Sequence, residues 1–125
     1  MITGLAEIIL YVQDMESQVA FYRDVLKLPI DYPEQKSYEN EQWVVFGTGG
    51  CKLALHGGGR KKFGRDAPKF VFEVDDVQRT REFLSLSGVP VGKIRHPAPG
   101  VEVLDAEDPE GNQFSVEHKE PDDKK

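Results

Sequence analysis

The chain holds one cysteine, Cys51, one tryptophan, Trp43, and no apolar run of the length a bilayer demands. A lone cysteine excludes an intrachain disulfide and suits a reducing compartment. Basic residues are the scarcer charge, 16 Lys and Arg against 22 Asp and Glu, giving a formal net charge of −6. That sign argues against nucleic acid as a partner, because phosphate binding wants a basic face. Met1 to Val12 has neither a basic n-region nor a small-residue cleavage site, so it reads as a first strand rather than a signal. These absences point to a cytoplasmic protein with neither a membrane nor a nucleic acid as partner. At 125 residues there is room for one domain whose core needs no staples.

What the chain does have is an echo of itself, about 61 to 62 residues apart. Val12-Gln13-Asp14-Met15, Phe21-Tyr22 and Leu28-Pro29-Ile30 are answered by Val74-Asp75-Asp76-Val77, Phe83-Leu84 and Val89-Pro90-Val91. Gly50 to His56 is answered by Gly111 to Glu117. Each copy reads strand, helix, then three strands, which predicts an α+β fold of two βαβββ modules in tandem, forming a curved mixed sheet with a central cleft. The expected limits are one domain over 1–118, with module one at 1–56, a linker loop at 57–66 and module two at 67–118. The charged residues 119–125 read as a disordered tail.

Within the copies, Asp14 caps a helix carrying Met15, Val19, Tyr22 and Leu26 inward, widened by Phe21 and Val25. Asp76 caps a second helix with Val77, Thr80, Phe83 and Leu84 inward, closed by Gly88. Strands are expected at Leu5 to Val12, Pro29 to Tyr32, Gln42 to Phe46 and Cys51 to His56. The second copy supplies Lys69 to Val74, Val89 to Arg95, Val101 to Ala106 and Asn112 to His118. Asp108-Pro109-Glu110-Gly111-Asn112 is built from turn residues, with Gly111 free to take positive φ.

Strand alternation sorts the side chains into two faces. Ala6, Ile8, Leu10 and Val12 face the first helix, as do Cys51, Leu53 and Leu55. Phe70, Phe72, Val74, Phe114 and Val116 do the same in the second copy. The opposite face collects Glu7, Lys69, His56, Glu117, Lys52, Gln113 and Ser115, with Ile9 and Val71 as an apolar floor. Trp43, Tyr11 and Tyr38 are candidate aromatic walls. Glu7 and Lys69 occupy equivalent strands. They form either an ion pair or a working couple, in which Lys69 anchors a substrate carboxylate while Glu7 orients or deprotonates it. Arg60, Lys61, Lys62 and Arg65 lie in the glycine-flanked loop, as a solvated linker or as a lid for an anionic substrate.

The two motifs Tyr11-Val12-Gln13-Asp14-Met15-Glu16 with Phe21-Tyr22, and Asp108 to Asn112 with Phe114, resemble those of the vicinal oxygen chelate superfamily. That superfamily includes glyoxalase I, the bleomycin and fosfomycin resistance proteins and the extradiol dioxygenases. The resemblance implies the same tandem fold, a homodimer and, in catalytic members, a divalent metal held by the first and last strand of each module. Those positions fall here on Glu7, Ala54, Lys69 and Ser115. Alanine cannot ligate, serine ligates poorly and an ammonium has no lone pair to give. No cofactor is therefore expected.

The expected function is binding of a small organic, anionic molecule in a metal-poor cleft, with Glu7 and Lys69 as candidate catalytic residues. His56, Glu117, Ser115, Gln113, Lys52, Trp43 and Arg60 are the candidate ligand contacts. Whether the chain is an enzyme stays open at this point. The alternative is a metal-dependent lyase, isomerase or dioxygenase of glyoxalase type. It would use a displaced site of Glu7, His56 and Glu117 for Zn, Ni, Mn or Fe, although two residues along a strand span roughly 6.6 Å.

Overall fold

A computed structural model describes residues 7–58 and 69–121. The chain forms two compact units, Met1–Arg65 and Asp66–Lys125. The first holds β1 (Glu7–Val12), α1 (Met15–Ala20), β2 (Ile30–Tyr32), β3 (Trp43–Gly47) and β4 (Lys52–Gly57). The second holds β5 (Phe70–Glu73), α2 (Val77–Leu86), β6 (Arg95–Ala98), β7 (Val101–Glu107) and β8 (Gln113–Lys119).

Each unit makes a four-stranded mixed sheet of the same order, β1-β4-β3-β2 in one and β5-β8-β7-β6 in the other. In both, the first strand runs parallel to the last and the remaining pairings are antiparallel. This is the expected α+β architecture of repeated βαβββ modules.

Local chemistry sets the helices. Asp14 Oδ1 accepts the Ser17 N–H at 3.1 Å and Asp76 Oδ1 accepts that of Arg79 at 3.0 Å, satisfying donors that a helix start leaves orphaned. α1 runs on into a π-helical stretch, Phe21–Val25, and ends at Lys27, whose φ is +60°. Met15, Val19, Phe21 and Tyr22 are buried, and Tyr22 meets Phe46 of β3 with ring centroids 6.0 Å apart. In the second unit Val77 and Leu84 of α2 are buried, together with Phe70, Leu104, Ala106, Phe114 and Val116 of the sheet.

Three details depart from the sequence reading. Phe83 is 44% exposed rather than inward, because it lies about 100° round α2 from Leu84. Val89 to Arg95 is not a continuous strand: only Val91 bridges to Ala106, and β6 starts at Arg95. Pro90 has no N–H for a ladder, which limits this stretch to contacts such as Gly92 N–H to Asp105 O at 3.0 Å. At the other end, β8 extends through Lys119, which pairs with Val101, and the Glu120 N–H donates to Gly100 O.

Candidate ligand-binding site

In the second unit, β7 and β8 pair so that Asp105 lies opposite Ser115 and Glu107 opposite Gln113. Directly opposed residues share a face. Phe114 and Ala106, the next residues along, are buried on the α2 side. The polar four therefore lie on the face away from the helix.

Asp105 is the hub of that face. Its Oδ1 accepts Lys69 Nζ at 2.7 Å, Ser115 Oγ at 2.6 Å and Arg95 Nη2 at 3.1 Å, while Oδ2 accepts Arg95 Nε at 3.1 Å. The Arg95 guanidinium, with Lys69 and Ser115 adding to it, holds the Asp105 carboxyl far below the usual carboxylate range. Arg95 is raised in turn by the same contact. The two cationic heads meet on one carboxylate oxygen, so a second anion could bridge them. Beside the hub is a pocket of about 270 Å³, lined by Lys69, Asp105, Glu107 and Gln113, with Pro90, Val91, Gly92 and Ala106 completing its wall.

The first unit carries an aromatic group instead. His56 of β4 is opposite Tyr11 of β1 and Trp43 of β3. Its ring lies 5.2 Å from that of Tyr11 and 5.9 Å from that of Trp43. His56 Nδ1 is 2.7 Å from Gly57 O. A carbonyl only accepts, so in the neutral ring Nδ1 carries the proton and Nε2 keeps its lone pair.

The other sequence candidates are placed as follows. Glu7 is exposed at the start of β1, opposite Lys52 in register, but the Lys52 ammonium pairs with Asp31. Glu117 is half-buried, opposite Glu73 and Val103, with Lys119 Nζ at 3.8 Å. Ser115 is buried, and Tyr38 is core rather than wall, its hydroxyl donating to Pro33 O at 2.9 Å. Arg60, Lys61, Lys62 and Arg65 lie outside the described residues. Sequence reasoning missed Asp105 and Arg95. The signal was there: an aspartate flanked by Leu104 and Ala106 in a strand is unfavourable unless it has partners.

A family model, Glyoxalase/Bleomycin resistance protein/Dioxygenase superfamily, matches residues 4–116. The chain belongs to this superfamily. Solved structures share the fold at low identity. A lactoylglutathione lyase from Agrobacterium tumefaciens matches with TM-score 0.72 and 23% identity, over 94% of this chain and 95% of that one. The fosfomycin resistance protein FosX from Mesorhizobium loti matches at 0.74 and 20%, over 96% and 95%. TnmS3, an antibiotic binding protein from Streptomyces sp. CB03234, matches at 0.73 and 18%, over 95% and 98%. No curated protein matches the chain by sequence.

The positions at which the resemblance implies a metal are related by the same register in each module. Ala54 is opposite Ile9, two residues on from Glu7, and Ser115 is opposite Val71, two residues on from Lys69. The same offset in both modules makes these pairs equivalent. They do not fit a divalent cation. Ala54 offers a buried methyl, the Lys69 ammonium has no lone pair, and the Ser115 hydroxyl is already donated to Asp105. Among the described residues no group of three or more His, Cys, Asp or Glu side chains could hold a metal ion.

Proposed function

We propose that this superfamily member binds a small organic anion without a metal, using Lys69 where catalytic relatives place a ligand to the ion. The observation that carries the reading is the shared engagement of Lys69, Ser115 and Arg95 by Asp105 at the edge of the second module's pocket. Two cations on one carboxylate leave one surplus positive charge there. Lys69 keeps two further N–H donors, and a guanidinium has five in all, so a carboxylate or similar oxyanion gains charge-assisted hydrogen bonds without displacing Asp105. Asp105, itself held by the Ser115 hydroxyl, keeps the Lys69 head in place beforehand, which lowers the entropy lost when a ligand arrives. The pocket is smaller than the ~300–1,000 Å³ typical of sites for drug-sized molecules, which favours a small metabolite over an antibiotic-sized one. In the first module, the Tyr11, His56 and Trp43 rings and the Nε2 lone pair of His56 form an aromatic group that suits a planar or hydrogen-bond-donating molecule.

The test is titration of the full chain with propionate and succinate, followed by backbone amide shifts. Saturable binding that weakens by about tenfold in Lys69→Met is expected, the scale of one lost charge-assisted contact. Equal binding by the variant would reduce Lys69 to a structural role.

A further inference from the structure

The pocket's charges are separated along the sheet, and this narrows the ligand class. β7 turns Asp105 and Glu107 to the same face, two residues apart, which is roughly 6.8 Å along a strand. At the Asp105 end are Lys69, which lines the pocket, and Arg95, which pairs with the same carboxylate from just beyond the lining. At the Glu107 end is a carboxylate with no ion-pair partner among the described residues, exposed and lining the same pocket. At that same end Gln113, directly opposite Glu107, contributes a side-chain amide able both to donate and to accept. Pro90 and Val91 give the wall an apolar portion. A plain anion would be drawn to one end and repelled by the other.

We propose that the pocket selects a small zwitterion, a molecule of amino-acid type whose carboxylate meets Lys69 and Arg95 while its ammonium meets Glu107. This rests on the anion-binding reading above and adds the second charge to it. Glu107 becomes the specificity-determining residue: it contributes nothing to a carboxylate and discriminates in favour of an adjoining cation. A short spacing between the ligand's charges suits the spacing of the two ends. α-, β- and γ-amino acids therefore bracket the class.

The experiment compares alanine, β-alanine, γ-aminobutyrate, propionate and propylamine as probes of the full chain by amide-shift titration, in wild type, Glu107→Gln and Lys69→Met. We expect at least one amino acid to bind about tenfold more tightly than propionate, the scale of a single charge-assisted contact. In Glu107→Gln that preference should vanish while propionate binding is kept or improved, and in Lys69→Met both should weaken. Glu107 is exposed at the end of its strand, so its variant is expected to fold. Propionate binding as tightly as every amino acid in wild type overturns the zwitterion proposal and leaves the anion reading standing. Absence of binding by any carboxylate overturns both, and propylamine binding alone would do the same by showing a cation site.

Discussion

A carboxylate in mid-strand is ordinarily unfavourable, yet Asp105 lies between Leu104 and Ala106, both buried. Its contacts with Lys69, Arg95 and Ser115 explain how that position is tolerated. Because the carboxyl is held below its ordinary value near 3.8, the charged form favours the folded state at all pH values above that. This contribution is lost only as pH falls towards the depressed folded value. The Asp105 side chain is 45% exposed, so solvent screening limits the effect to about 1 kcal/mol. Asp105→Asn should therefore lower stability by about 1 kcal/mol in urea unfolding at neutral pH. The gap from wild type should stay constant down to about pH 4 and close below it. A gap that widens in acid would contradict this assignment.

At the scale of elements, the duplication is carried by capping as much as by hydrophobic pattern. Asp14 and Asp76 are repeat mates, and each caps its helix through the N–H three residues on. Asp14→Ala and Asp76→Ala should each cost about 1 kcal/mol, measured by denaturant unfolding. A markedly smaller cost in one module would show that its helix is held by packing alone. These elements were legible because their signals are local: the Asp caps, the alternation in β1, β4, β5 and β8, and the turn in which Gly111 takes φ +81°. The Val89 to Arg95 stretch was misread because its apolar residues suggest a strand while Pro90 removes the ladder donor. Phe83 was misplaced because an aromatic in a short amphipathic stripe does not announce which side of Leu84 it takes.

For the molecule as a whole, the repeat makes the fold readable and the faces sortable, so Lys69, Ser115 and Gln113 stand out in the sequence alone. Their grouping was not readable, because it depends on β7, where Asp105 pairs across strands with Ser115, and on Arg95 reaching in from β6. Sequence alternation gives a residue's face but not the registry between distant strands, and the hub of this site is a product of registry. The same pairing supports the proposed separation of this chain from metal-dependent chemistry at the superfamily positions. Ser115 and Lys69 are committed to a carboxylate, and the first-module equivalent of Ser115, Ala54, is a methyl.

Metal content of the purified full chain, produced with Zn, Ni, Mn and Fe supplied and measured by mass spectrometry of the elements, tests that separation most directly. The account predicts substoichiometric metal that does not change in His56→Ala or Glu117→Ala. One equivalent of a transition metal, lost in those two variants, would contradict it.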